Sequence, residues 1–233
     1  MDSEAFQAAE KEAQNLFLEL LRTEADIDGK IINVTGFLNF QYLLSHMKTL
    51  AQPFVERYRT RKPDFVLTAP SSGMPFAHQV AVGLDVNQVI FPRKGATKPK
   101  NLVHYRVCER HVGSPTGGAE NLYFRWDKME LLKGKTGLFA DDFLFTGNTG
   151  NAILDEMKEH EIELVGMAFL FDKGMGGYES LKARTNADIY SLMKLSSIRD
   201  PIHEGYAILD FVHPRASISI RKQRAAVTTL YMT

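Results

Sequence analysis

Apolar residues recur along this chain with two spacings, one helical and one strand-like. Ala5, Phe6, Ala9, Ala13, Leu16, Phe17, Leu20 and Leu21 return every three or four residues, which predicts an amphipathic helix over residues 3–22. IINVTGF (31–37) is rich in β-branched residues and predicts a strand. Leu43, Leu44, Met47, Leu50, Phe54 and Val55 give Gln41 to Arg59 a helical beat, interrupted or kinked near Pro53. A regular alternation follows. DFVLTA (64–69) reads as strand, PSSG as turn, MPFAHQVAVGL (74–84) as helix and NQVIF (87–91) as strand, a βαβ unit. TGLFAD (136–141), NAILDEMKEH (151–160) and IELVGMAFLF (162–171) repeat the order, with a further helix around Tyr178 to Ala183 and a strand DIYSLM (188–193). The expected class is α/β, a parallel sheet flanked by helices, with its strand-to-helix turns gathered at the carboxyl edge.

Residues 93–124 fit neither spacing. They are basic at the start, carry GSPTGG in the middle, and are expected to form a long flexible loop or flap with room for a hairpin. Residues 200–233 are mixed and predict no more than an extra strand or packing arm. At 233 residues and 44% hydrophobic, the chain can bury one sizeable core. Lys plus Arg equal Asp plus Glu at 28 each, so no global field draws it to nucleic acid or a membrane, and an anionic ligand must be recognised locally. The single cysteine, Cys108, excludes an internal disulfide framework and fits a reducing compartment. The acidic amphipathic start does not read as a signal peptide and no apolar run is long enough to span a bilayer, so a cytoplasmic location is expected.

The chemistry concentrates in FADDFLFTGNTGNAI (139–153). A strand expected to stop at Asp141 and Asp142 passes through a Thr- and Gly-rich turn into a helix. The backbone N–H groups of such a turn and the positive end of the helix suit a phosphate. The carboxylates suit sugar hydroxyls or hydrated Mg2+. A phosphorylated sugar carrying a metal would use both. The same residues also read as an ordinary helix N-cap region and turn that need no ligand, and the residues alone leave both readings open. Competing motifs fail on spacing: a P-loop ending at Gly134-Lys135-Thr136 would need glycine at Met129, KGMGG (173–177) lacks the last glycine of a dinucleotide fingerprint, and no G-x-S-x-G surrounds Ser71 and Ser72. The seven histidines show no metal-ligand spacing with cysteine or each other.

FADDFLFTGNTG (139–150) resembles the phosphoribosyl diphosphate (PRPP) signature of type I phosphoribosyltransferases: a hydrophobic strand, two acidic residues and a T-G-x-T turn. VLTAPSSGMPFA (66–77) is similar to their diphosphate-binding turn, and IFPRK (90–94) to the strand entering their flexible catalytic loop. INVTGFLNFQ (32–41) with FLFDKG (169–174) is similar to the base-binding elements of xanthine phosphoribosyltransferases. The resemblance covers roughly residues 30–195. It implies a phosphoribosyltransferase domain over 30–199, with a small base-binding hood (30–45) and the flexible loop (93–124), between an N-terminal helical extension (1–29) and a C-terminal extension (200–233).

On that resemblance Asp141 and Asp142 would bind the ribose hydroxyls directly or through Mg2+-bound water, and Phe145, Thr146, Gly147, Asn148 and Thr149 would hold the 5′-phosphate. Ser71, Ser72 and Gly73 would contact diphosphate through a strained turn, and Arg93 and Lys94 would neutralise it as it leaves. Ile32, Asn39 and Lys173 would meet the base, Lys173 as a donor to a 6-oxo group. Phe145 stands where some 6-oxopurine enzymes carry an aspartate thought to take the purine proton, so that general base is missing. The resemblance implies a Mg2+-dependent purine phosphoribosyltransferase, with xanthine as the first base, acting as a cytoplasmic homodimer without nucleic-acid or membrane partners. An adenine enzyme is the alternative within the class; a non-catalytic PRPP-binding regulator is the alternative outside it, and a small hydrolase is a distant third for want of a nucleophile–base pair.

Overall fold

The computed structural model describes residues 3–28, 31–39, 41–102, 104–113, 119–199 and 206–222. Ser3 caps the first helix, accepting the Phe6 N–H at 3.1 Å, and α1 runs Glu4–Glu24. β1 (Asp26–Asp28) and β2 (Ile31–Asn33) form a short antiparallel pair, followed by one π-helical turn, Thr35–Asn39. α2 (Leu44–Tyr58) continues through a buried Pro53. The first βαβ unit is β3 (Phe65–Leu67), α3 (Met74–Gly83) and β4 (Val89–Ile90). Next come β5 (Arg93–Gly95), β6 (Val107–Gly113), β7 (Ala119–Arg125) and the short α4 (Trp126–Glu130). The second unit is β8 (Thr136–Leu144), α5 (Asn148–Glu159), β9 (Glu163–Asp172), α6 (Gly177–Lys182) and β10 (Asp188–Arg199), and the hairpin β11 (Tyr206–His213) and β12 (Ala216–Lys222) follows.

The main sheet has the order β2-β1-β12-β11-β10-β9-β8-β3-β4, and its five strands from β10 to β4 are mutually parallel. Period-2 alternation gives each central strand two buried faces. Leu138 and Ala140 of β8, with Ala168 and Leu170 of β9, pack in the layer containing α1, α2 and α3; Phe139, Met167 and Phe169 pack on the other side against α5. Among the described residues of 200–233, the β11–β12 hairpin extends the sheet and joins β10 to β1, so the α1–β2 region and the parallel core share one sheet.

Three expectations change. IINVTGF (31–37) is strand only to Asn33, because the chain turns at Thr35 into the π-helical turn. β8 does not stop at the aspartates. It runs three residues past Asp141 because Phe143 and Leu144 still pair with Phe171 and Asp172 of β9. Residues 93–124, expected as a long flexible loop with room for a hairpin, carry that hairpin as β6 and β7 and add β5 to it, a three-stranded antiparallel sheet in the order β5-β7-β6. Cys108 and Val112 point inward with Leu122 and Phe124. The charged Arg110 between the first two hides the period, because its guanidinium reaches Glu156 of α5 at 2.9 Å.

Candidate active site

The parallel strands β9, β8, β3 and β4 are neighbours, so the segments that follow their carboxyl ends lie side by side at one sheet edge. β3 ends at Leu67, opposite Phe139, whereas β8 continues to Leu144. The turn after β3 folds against this overhang. A Cβ on Gly73 would stand 2.1 Å from Asp141 Oδ1 and 3.0 Å from Thr68 Oγ1, so only glycine allows the approach. The Pro70–Ser71 peptide within this turn is cis.

Asp141 and Asp142 are buried. Asp141 Oδ1 accepts the Asp142 N–H at 3.1 Å and Asp142 Oδ1 accepts the Phe143 N–H at 3.0 Å, but Asp142 Oδ2 is buried with no hydrogen-bond partner. Burial raises both carboxyls above their ordinary range. The Asp142 charge adds to the shift of Asp141 and Lys94 opposes it, while the nearby Ser72 hydroxyl pulls Asp142 back down.

After β8 the chain turns through Phe145, Thr146 and Gly147. Gly147 has φ 84°, a left-handed conformation that suits glycine, and it caps α5, its carbonyl accepting the Asn151 N–H at 2.8 Å. Thr146, Gly147, Asn148 and Thr149 line a cavity of about 70 Å³ together with Asp141 and Phe145. The twelve-residue α5 directs its positive end at it.

Arg93 and Lys94 lie exposed on β5 and share a cleft of about 450 Å³ with Ser71 and Met74. Lys94 Nζ is 2.7 Å from Glu120 Oε2 of β7, so its charge is already paired across the small sheet.

On the other side of β8, the Lys173 N–H donates to Leu144 O at 2.8 Å. Its Nζ lies 4.2 Å from the centroid of the Phe143 ring and 5.8 Å from that of Phe145. Burial lowers the Lys173 pKa and the Asp142 charge partly restores it. The preceding Asp172 is buried, accepts the Gly174 N–H at 2.8 Å and lies 3.8 Å from Lys194 Nζ. Ile32 is 3% exposed and packed in the core, which leaves it little surface for a ligand. Asn39 closes the π-helical turn, and its side chain lies outside the described residues. Phe17 meets both Phe37 of that turn and Phe171, and Phe171 meets Phe143, so a row of aromatic rings joins the π-helical turn to the lysine turn.

The fold therefore brings together the 71–73 turn, Asp141, Asp142, the 145–149 turn and Lys173, with Arg93 and Lys94 at the rim. Sequence reasoning missed Glu120, Asp172 and Phe143. Asp172 and Phe143 stand inside quoted motifs beside assigned residues, but Glu120 reaches the site through strand pairing alone.

The phosphoribosyl transferase domain family matches residues 37–192. A xanthine phosphoribosyltransferase of Clostridioides difficile (strain 630) is 29% identical over 181 residues, covering 77% of this chain and 93% of that protein. A probable purine biosynthesis transcriptional regulator, PurR, of Streptococcus pneumoniae serotype 4 is 27% identical over 194 residues, covering 78% of this chain and 66% of the regulator. Among solved structures, an adenine phosphoribosyltransferase from Thermoanaerobacter pseudethanolicus superposes with TM-score 0.60 at 19% identity, over 76% of this chain and 98% of that one, a likeness of fold.

Proposed function

The chain belongs to the phosphoribosyl transferase domain family, and we propose that it transfers the phosphoribosyl group of PRPP to a 6-oxopurine, xanthine first, releasing diphosphate. The observation that carries this reading is the buried acidic pair: Asp142, whose Oδ2 accepts no well-directed hydrogen bond, stands next to Asp141, which lines the 145–149 cavity and packs against the 71–73 turn. Ribose hydroxyls would satisfy that oxygen while the 145–149 turn holds the 5′-phosphate and Ser71, Ser72 and Gly73 hold the diphosphate. The paired acids also fit hydrated Mg2+, which Asp141 and Asp142 would hold through water; bound there with PRPP, it supplies positive charge to the departing diphosphate.

The residues of the chain do the rest by placement. Arg93 and Lys94 reach the rim where diphosphate leaves, Lys94 by exchanging Glu120 for a phosphate oxygen. As the C1′–O bond breaks ahead of attack by the base nitrogen, the sugar gains positive charge, which the adjacent carboxylates stabilise. Closing over the cleft, the small sheet of β5, β6 and β7 would shut out water, and no covalent nucleophile is required. Lys173 donates and cannot accept, so it favours a 6-oxo group over the 6-amino group of adenine. The xanthine phosphoribosyltransferase likeness across most of both chains supports the same base. Homodimerisation and a cytoplasmic location belong to this reading as family expectations; no described helix is long and apolar enough to cross a membrane.

The regulator likeness favours a second reading, a PRPP-binding module without turnover. One assay separates the two: diphosphate release from PRPP and Mg2+ with xanthine, hypoxanthine, guanine, adenine and orotate offered separately, beside calorimetric PRPP binding. Release with xanthine is expected, release with adenine alone would replace the base assignment, and binding without release would establish the regulator.

A further inference from the structure

Away from the PRPP cleft, Cys108 of β6 points at the carboxyl end of α5. Its Sγ lies 3.6 Å from His160 Nε2, which lies 3.2 Å from Glu156 Oε1, and all three donor atoms fall within 4.8 Å of one another in a buried setting. Glu156 and His160 are four residues apart and therefore share one face of the helix end. On the other side of the imidazole, Nδ1 is 2.9 Å from Glu130 Oε1. A proton on Nδ1 donated to that carboxylate turns the Nε2 lone pair toward Cys108 and Glu156, the second-shell arrangement of metal-bound histidines. The Trp126 ring covers the imidazole at 4.5 Å between centroids.

Cys108, His160 and Glu130 also stand in the order of nucleophile, base and orienting acid. Burial closes that role to an outside substrate and, with no metal bound, pushes the thiol up to about 12; a coordinated cation would take it as thiolate. Glu156 is 0% exposed, with Arg110 Nε 2.9 Å from Oε2 and His160 Nε2 3.2 Å from Oε1. Arg110 balances its charge, yet neither carboxylate oxygen accepts a well-directed hydrogen bond, which leaves both able to accept a ligand.

We propose that Cys108, Glu156 and His160 bind a zinc ion that clasps β6 to the end of α5, with the fourth position taken by water. Tetrahedral Zn2+ with Zn–S of about 2.3 Å and Zn–N and Zn–O of about 2.0–2.1 Å sets S···N at about 3.6 Å and N···O at about 3.3 Å. The observed separations for these two pairs are 3.6 and 3.2 Å, and the third, from Sγ to the Glu156 oxygen, lies within 4.8 Å where tetrahedral zinc would draw it to about 3.6 Å. The thiolate and the carboxylate neutralise the dication, while Arg110 keeps its own partner in Glu159. The ion would fix the root of the small sheet that carries Lys94 and Glu120.

Cobalt substitution tests this directly, because Cys108 is the only cysteine and a thiolate-to-cobalt charge-transfer band can arise nowhere else in the chain. One equivalent of Co2+ added to the chelator-stripped protein is expected to give the band, and one equivalent of Zn2+ to remove it. Zinc is expected to raise Tm by several degrees in the native protein but not in Cys108→Ser or Glu156→Gln. Absence of the band from the native protein, its persistence in Cys108→Ser, or an equal zinc-induced Tm shift in native and variant proteins would overturn the proposal. The native titration decides even where a variant fails to fold.

Discussion

A methyl group placed on Gly73 would stand 2.1 Å from Oδ1 of Asp141. The turn after β3 and the acidic pair within β8 are thus a single packed unit, and the proposed diphosphate and ribose sites are set by the same contact. Gly73→Ala must move the turn or the carboxylate by an ångström or so. A misplacement of that size is expected to lower kcat/KM for PRPP by about 10²-fold, read from initial rates at varied PRPP. Unchanged kinetics would separate the two sites.

Asp141 is expected to trade stability for function. Burial, then the neighbouring charge of Asp142, holds its folded pKa well above the ordinary value. The folded chain therefore binds this proton more tightly than the unfolded chain. The contribution to stability is present below the unfolded pKa and is lost as pH rises through the raised folded value. Asp141→Asn removes the charge while keeping an oxygen for the Asp142 N–H. At pH 7 it is expected to raise Tm, with the difference shrinking toward pH 4, and to raise KM for PRPP at the same time. Thermal scans across that pH range, with PRPP saturation curves, check both halves.

Lys94 is held by Glu120 at 2.7 Å, with each side chain about a third exposed. An exposed pair of this kind contributes at most about 1 kcal/mol. Glu120→Gln frees the lysine for diphosphate and is expected to lower KM for PRPP by up to about fivefold, more at low than at high salt. A rise in KM would mean that Glu120 orders Lys94 rather than competing for it.

Lys173 packs on Phe143 and Phe145 and is lowered in pKa by burial. Lys173→Met keeps much of the packing and loses the donor. A charge-assisted hydrogen bond is worth about 1.5–3 kcal/mol, so kcat/KM for xanthine is expected to fall about 10- to 100-fold further than that for adenine. Equal losses for both bases would remove the assignment to a 6-oxo group.

The order of elements and the composition of the proposed PRPP turns were legible in the sequence because they depend on local features. Helical spacing marked α1, α2 and α5, apolar runs marked β3, β8 and β9, and Asp141 to Thr149 lie on one continuous stretch. The carboxyl-edge turns came within reach because parallel strands bring their ends together whatever the loops contain. What depends on strand pairing and long-range packing was not legible. The small sheet was hidden because Arg110 breaks the apolar alternation and draws its justification from Glu156 on α5, 46 residues away. Glu120 meets Lys94 only through the pairing of β5 with β7. The histidines and cysteine showed no metal-ligand spacing along the chain, yet His160 and Cys108 stand 3.6 Å apart, 52 residues removed. Local periodicity follows backbone geometry and can be read from neighbours in sequence. A side chain's partners depend on which surfaces the folded sheet brings into contact, and that is fixed by packing of the whole chain.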